Sequence, residues 1–241
     1  MNQESITYKF CKSACWYRDV CNNYNNDAEC NDCCIRYMEM WHLINYSGLP
    51  KKLQRPAKLY PDKVDLDSFR YLNSFKEEIT EFVEAGVNLF LCSSNCGNGK
   101  TTWAAKFLLS YFDDVWNGNG FVPRGKFVYV PDFLNEVKQN LQNSEVLENT
   151  ANLLKNLDLV VWDDIAIRKL TSFEQSYLTA IIDYRQNEVK SNIFTSNVLP
   201  KDLEANVGSR LASRLCCDEI VILKGQDMRR RKNIGNSTNF E

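Results

Sequence analysis

A short run of small and charged residues, Gly97-Asn98-Gly99-Lys100-Thr101, has the composition of a phosphate-binding loop. Glycine lets backbone N–H groups converge on an anion, and lysine carries a positive charge to the outer phosphates. The threonine hydroxyl can bind Mg²⁺, and a helix that begins behind the loop favours the same anion. The pattern predicts binding of ATP with Mg²⁺, although Ser94 stands where such loops usually begin with glycine. The residues expected to contact the nucleotide are Asn95, Cys96, Gly97, Asn98, Gly99, Lys100, Thr101 and Thr102.

Two adjacent carboxylates, Asp163 and Asp164, follow the apolar run LDLVVW. A carboxylate at the end of a second strand completes the magnesium shell in phosphate-loop proteins, which assigns Asp163 to the metal together with Thr101. Asp164 then holds the position of the base that orients the attacking water. It is shorter than the glutamate common there, so we expect slow hydrolysis. The other interpretation is that both residues merely cap the end of a strand.

The elements that must position these residues alternate between strands and helices. Apolar runs predict strands, and amphipathic spacing predicts helices between them. The predicted strands are 87–92, 126–130, 157–164, 191–197 and 218–224, and the predicted helices include 69–84, 131–143, 145–156, 172–188 and 199–215. This alternation is typical of an α/β domain with a parallel sheet and helices on both faces.

Cysteine is concentrated at the N-terminus, where six of the ten in the chain lie within the first 34 residues. Such a cluster in a reducing compartment favours a structural metal, with four thiolates around zinc or an iron–sulfur cluster, over disulfides. Free thiols remain the alternative, and His42 fits a helix better than a ligand set. The ligands would be chosen from Cys11, Cys15, Cys21, Cys30, Cys33 and Cys34.

The chain divides by composition into four parts. We predict a cysteine-rich domain at 1–48, a proline- and lysine-containing linker at 49–68, a nucleotide-binding domain at 69–232 and a tail at 233–241. Twenty-nine basic and 31 acidic residues leave a net charge of −2, which argues against binding to nucleic acid by bulk charge. The polar start and the lack of a long apolar run predict a cytoplasmic protein without a membrane partner.

Four motifs in this order, GNGKTT, LVVWDDI, NIFTSN and GSRLASRL, resemble those of the AAA+ replicative helicase loaders of the DnaC/DnaI type, both bacterial and phage-encoded. The resemblance covers about residues 65–232 and implies a P-loop AAA+ (ASCE) fold without a full C-terminal lid. It implies that Asn197, with Thr195 beside it, senses the γ-phosphate. It also implies that Arg214 is an arginine finger, with Arg210 one turn earlier, and that Arg229 is the second sensor.

The same resemblance implies the partners. They would be a hexameric replicative helicase, held by the cysteine-rich domain, single-stranded DNA, and further copies of this chain assembled on ATP binding. A transposition helper ATPase of the IstB type has nearly the same core motifs and stays as an alternative. A second alternative, from a different class, is a weakly hydrolysing nucleotide-sensing adaptor that binds the host helicase.

Overall fold

A five-stranded parallel sheet forms the centre of the protein. The computed structural model describes residues 8–117 and 120–227. The strands are β1 (Asn88–Cys92), β2 (Gly125–Tyr129), β3 (Leu159–Asp163), β4 (Ser191–Ser196) and β5 (Glu219–Ile222). Their order across the sheet is β2-β3-β4-β1-β5, and every adjacent pair is parallel. The predicted α/β architecture is therefore confirmed.

The α-helices follow the predicted positions closely, with two differences. They are α1 (Ile35–Tyr46), α2 (Leu66–Glu77), α3 (Ile79–Glu84), α4 (Lys100–Val115), α5 (Val130–Gln139), α6 (Ser144–Asn156), α7 (Ser172–Asn187), α8 (Leu203–Val207) and α9 (Ser209–Leu215). The predicted helix 69–84 is interrupted at Glu78, and the predicted helix 199–215 is interrupted at Gly208, whose φ is +79°. Within the described ranges, no helix combines the length and apolar character that crossing a bilayer requires.

The sheet has a separate hydrophobic core on each face. Along β1, Leu89 and Leu91 pack with α1 to α4, whereas Phe90 and Cys92 pack with α5 to α9. Successive side chains of a strand point to opposite faces, so a strand covered on both sides must be apolar throughout. All five residues of β1 and of β3 are buried. This explains why both strands were visible in the sequence as continuous apolar runs.

The N-terminal segment packs directly on the body that contains the sheet. Tyr37 lies at the centre of an aromatic cluster, with its ring centroid 4.9 Å from that of Phe10 and 5.4 Å from that of Trp16. Ile44 of α1 is fully buried in the same core as α4. The Tyr17 hydroxyl donates to Asp113 of α4 at 2.6 Å. Aromatic packing and contact with the body thus order a segment that had been expected to depend on a metal.

The end of α1 also covers an edge of the sheet. The N–H of Phe127 in β2 donates to the Ser47 carbonyl at 2.7 Å, and the Lys126 ammonium donates to the Tyr46 carbonyl at 2.8 Å. β2 is the outer strand on this side, and an exposed edge strand invites pairing with other chains. The N-terminal segment therefore protects the edge of the sheet farthest from β5.

Candidate nucleotide-binding site

The phosphate loop lies between β1 and the first turn of α4, as predicted. Gly97 and Gly99 have φ of +75° and +97°, conformations that favour glycine and turn backbone N–H groups inward. Ser94 does not have a positive φ. In the described ranges, the residues other than glycine with a positive φ are Asp164, Ala166 and Val189. Replacement of the usual first glycine by serine therefore introduces no left-handed strain into the loop.

Lys100 is held inside the loop by neutral oxygen atoms. Its ammonium donates to the Asn95 carbonyl at 3.0 Å and to Asn98 Oδ1 at 3.1 Å, and the residue is 5% exposed. Burial lowers the pKa of Lys100, because the charged form loses water. A buried ammonium whose hydrogen-bond partners are uncharged is well suited to an anionic ligand, so the loop fits the phosphates of ATP.

A chain of hydroxyl and carboxylate contacts joins β3 to β4 opposite the loop. The Thr195 hydroxyl donates to Asp163 Oδ1 at 2.7 Å, and the Asp164 N–H donates to Thr195 Oγ1 at 2.9 Å. Burial raises the pKa of Asp163 to about 6, against the opposing effect of hydrogen bonds from Thr195 and Thr101. A carboxylate beside a threonine hydroxyl is an oxygen pair that suits Mg²⁺. Asp163 and Thr101 therefore fit the predicted metal.

Asp164 and Asn197 extend this arrangement towards the phosphate loop. Asp164 has φ of +57°, and Asn197 Nδ2 donates to its Oδ1 at 3.4 Å. The Cys96 thiol of the loop donates to Asn197 Oδ1 at 3.9 Å. Left-handed backbone outside glycine costs roughly 1 kcal/mol and is retained mainly at functional sites. The structure therefore brings the predicted base, the predicted sensor and the loop to one edge of the sheet.

Sequence reasoning missed the contact between the phosphate loop and the segment 223–227, which follows β5. Asn95 Nδ2 donates to the Lys224 carbonyl at 2.9 Å, and a Cβ at Gly97 would collide with the Asp227 carboxylate. Asp65 lies just before α2 and is 1% exposed. Its carboxylate accepts hydrogen bonds from the N–H groups of Lys224 and Gly225, each at 2.7 Å. No motif marks these contacts, because they join residues about 130 and 160 positions apart.

The predicted arginine finger lies on the short helix α9. Arg214 and Arg210 both donate hydrogen bonds to the carboxylate of Asp183 in α7. The bond from Arg210 is 2.7 Å long. Arg210 keeps 74% of its side chain exposed, compared with 39% for Arg214. One carboxylate thus orients two guanidinium groups, one helical turn apart, on the surface. The predicted second sensor, Arg229, lies outside the described residues.

The six N-terminal cysteines are not arranged as a metal centre in the described part of the chain. All six lie in the described ranges, and there no group of three or more histidine, cysteine or acidic side chains is arranged to hold an ion. Cys15 is buried and its sulfur accepts the Tyr17 N–H at 3.4 Å, whereas Cys11, Cys21 and Cys33 are exposed. The predicted zinc or iron–sulfur site is therefore not supported, because aromatic contacts rather than thiolates converge in this segment.

The sheet order, the phosphate loop and the polar ends of β3 and β4 are those of a domain with the AAA+ fold. Solved structures share this fold. The crystal structure of the DnaC helicase loader superposes with a TM-score of 0.59 at 21% identity, over 73% of this chain and 100% of that one. DnaA from Aquifex aeolicus bound to AMPPCP gives 0.59 at 20% identity, over 78% of this chain and 55% of that one.

Sequence comparison finds replicative helicase loaders among the relatives of this chain. The replicative helicase loader DnaC of Escherichia coli is 24% identical over 185 residues, which are 75% of this chain and 71% of that protein. The replicative helicase loader DnaI of Bacillus subtilis is 31% identical over 78 residues, 32% of this chain and 25% of that protein. No protein-family model matches the chain. The resemblance to loaders of the DnaC/DnaI type, predicted from four motifs, is confirmed.

Proposed function

We propose that this protein is an ATP-dependent loader that places a hexameric replicative helicase on single-stranded DNA in the bacterial cytoplasm. The observation that carries the proposal is the 185-residue likeness to a protein named as a replicative helicase loader. The geometry of the site supports the ATP-dependent part. A buried lysine, a threonine hydroxyl and a buried carboxylate lie where a nucleotide and its metal would be bound.

Each site residue has a role in this proposal. Mg²⁺ neutralises charge on the phosphates when it is bound, and Thr101 and Asp163 would hold it. Lys100 would give up its contacts with Asn95 and Asn98 to bind the outer phosphates. Asp164, anchored through its N–H to Thr195, would accept a hydrogen bond from the attacking water. Asn197 would report the γ-phosphate to β4.

Arg214 would act on the nucleotide of a neighbouring copy. A guanidinium carries a permanent charge, which can stabilise the charge on a transferring phosphoryl group. The shared carboxylate of Asp183 supports this role, because it limits the motion of Arg214 while leaving it partly exposed. The proposal therefore includes assembly of several copies around ATP, with Arg229 as the second sensor.

The N-terminal segment would hold the helicase, and its exposed apolar side chains allow a direct test. Val20 is 76% exposed and Ile35 is 61% exposed. We expect Val20→Asp combined with Ile35→Asp to weaken binding to a purified hexameric replicative helicase at least tenfold, since a charge would then be buried in the contact. Biolayer interferometry with immobilised helicase measures the affinity.

The matched control is Leu141→Asp, which alters an apolar side chain of the body that is 51% exposed. It should bind the helicase with the parent affinity. Loss of binding in the control but not in the double variant would contradict the assignment of the N-terminal segment. Failure of the parent to bind any replicative helicase, together with normal ATP binding, would exclude the loader.

The adaptor that binds a helicase without loading it is the second candidate. The observation that favours it is the short Asp164 side chain, whose Oδ1 already accepts a hydrogen bond from Asn197. Unwinding of forked DNA by the helicase on coated single strands separates the two. A loader stimulates unwinding and loses that effect in Lys100→Ala, whereas an adaptor binds the helicase and leaves unwinding unchanged or reduced.

A further inference from the structure

A cavity of about 450 Å³ lies between the N-terminal segment and helix α4. Its walls come from residues 15–19 and Met40, from residues 54–56, and from α2 and α4. None of its lining residues belongs to the phosphate loop or to the strand ends that face the loop. Pockets that bind small molecules usually have volumes of roughly 300–1,000 Å³, and this cavity lies in that range. The cavity is therefore a second concave site, separate from the nucleotide site.

Basic side chains outnumber acidic ones in this cavity, and the acidic ones are already engaged. The lining includes four basic residues against Asp19 and Asp113. Asp19 accepts a hydrogen bond from the neighbouring Arg18 at 3.2 Å. Asp113 accepts from the Tyr17 hydroxyl at 2.6 Å and from Arg36 at 3.1 Å. Among the lining residues, no further carboxylate is left to neutralise the remaining positive charge.

Two lysines from different helices supply most of that charge. Lys76 of α2 and Lys106 of α4 both line the cavity, and within the described ranges neither ammonium has a hydrogen bond or an ion pair. Burial lowers the pKa of Lys106, and the charge of Lys76 lowers it further. Adjacent cations without a counter-ion are costly, and a bound anion would relieve that cost. Arg55 adds a third cation, whose guanidinium donates to the Ala14 and Cys15 carbonyls.

The rest of the lining is apolar and aromatic. Trp16 is fixed by a hydrogen bond from its indole N–H to the Gln54 carbonyl at 3.3 Å. Met40, Pro56 and Leu109 complete the apolar part of the lining. A bare inorganic anion would leave this surface uncovered, whereas an organic anion could pack its apolar part there. Lysine is a compact point charge that suits phosphate.

We propose that this cavity binds a phosphate ester of a small organic molecule, with Lys76 and Lys106 on the phosphate and Trp16 against the organic group. Such a ligand would contact the N-terminal segment and α4 at once. It would therefore strengthen the docking of the N-terminal segment on the body. The proposal is independent of the loader function, because it uses no residue of the nucleotide site.

Isothermal titration calorimetry on the full chain tests the proposal. The protein carries Lys100→Ala and is kept in EDTA, so that the phosphate loop contributes little binding. The probes are phenyl phosphate, inorganic phosphate and a pentaglutamate peptide. We expect one saturable site for phenyl phosphate, with affinity at least fivefold above that for inorganic phosphate. Equal affinity for phenyl phosphate and inorganic phosphate would overturn the proposed contact between Trp16 and the organic group.

Variants of the two lysines complete the test. Lys76→Gln and Lys106→Gln should each weaken phenyl phosphate binding at least tenfold, whereas Lys106→Arg should retain most of it. Lys201→Gln, at an exposed lysine elsewhere on the body, is the matched control and should bind as the parent does. Near-UV circular dichroism verifies folding, and Lys106→Arg keeps the comparison valid if a glutamine variant is unstable. Unchanged binding in both glutamine variants, or preferential binding of the peptide, would overturn the proposal.

Discussion

Asp163 shows how a single buried carboxyl can cost stability. It is 4% exposed, and burial raises its pKa to about 6, above the value of an unfolded aspartate. The folded protein therefore favours the protonated form, and the penalty for ionising the group grows as pH rises from about 4 to about 6. Above that window the penalty is constant at about 3 kcal/mol. A bound cation would offset it.

Asp163→Asn removes this penalty while keeping an oxygen that can accept the Thr195 hydrogen bond. We expect the free energy of unfolding at pH 7.5 to rise by up to about 3 kcal/mol. The gain should shrink to roughly 0.5 kcal/mol at pH 4, where Asp163 is protonated in the folded protein and only partly ionised in the unfolded chain. Urea unfolding at the two pH values measures it. Glu148→Gln, at an exposed position of α6, should change neither value. A less stable Asp163→Asn at pH 7.5 would contradict the burial effect.

Short connecting segments, more than the long helices, position the nucleotide site. The segment 223–227 touches the phosphate loop on one side and Asp65 on the other. Asp65 precedes α2, so its carboxylate joins the end of the segment between α1 and α2 to the residues after β5. Each hydrogen bond from a backbone N–H to a carboxylate contributes about 1.5–3 kcal/mol. The buried carboxylate of Asp65 therefore links two parts of the chain beside the loop by hydrogen bonds.

Replacing Asp65 by alanine should leave two backbone N–H groups without their partner. We expect Asp65→Ala to lower the free energy of unfolding by about 2–4 kcal/mol and to weaken ATP binding several-fold, because the loop loses a fixed neighbour. Chemical unfolding and fluorescent-nucleotide titration provide the two readouts. Asp67→Ala, two residues away on an almost fully exposed side chain, is the control and should match the parent. Parent-like nucleotide affinity in Asp65→Ala would limit its role to stability.

At the scale of the whole molecule, the N-terminal segment and the body share one hydrophobic core. Ile44 has no exposed surface and packs in the same cluster as residues of α4, β1 and β2. The Tyr17–Asp113 contact and the cover over β2 add polar links across the same boundary. A deletion of residues 1–50 would therefore uncover apolar surface of the body. Point variants test the role of the segment more cleanly than truncation.

Ile44→Ala should destabilise the whole chain if the core is continuous. A buried isoleucine truncated to alanine costs about 2–5 kcal/mol, so we expect one unfolding transition at lower temperature in differential scanning calorimetry. Ile35→Ala alters the same helix at a side chain that is 61% exposed, and should leave the transition unchanged. Two separate transitions, of which only one moves, would indicate that the N-terminal segment unfolds independently of the body.

The alternation of apolar runs and amphipathic stretches was enough to predict a parallel α/β sheet, and short motifs were enough to predict the loop around Lys100 and the carboxylate at Asp163. These are local features: a buried strand must be apolar along its length, and a phosphate loop needs its residues in consecutive positions. The division into four parts stays a prediction. The metal at the cysteines was expected from their clustering and spacing along the chain, and the structure does not support it.

Only the tertiary structure decided which distant residues meet. Asp65 lies about 160 positions before the N–H groups that donate hydrogen bonds to it, and Asp183 orients arginines 27 and 31 positions later. Tyr37 packs against the rings of Phe10 and Trp16, which precede it by 27 and 21 positions. Such contacts depend on how helices pack across the sheet, and no spacing along the chain encodes that packing. The sequence alone determined which chemistry is possible at the loop, because that chemistry needs neighbouring residues. Packing determined what supports the loop, because those supports come from segments before α2 and after β5.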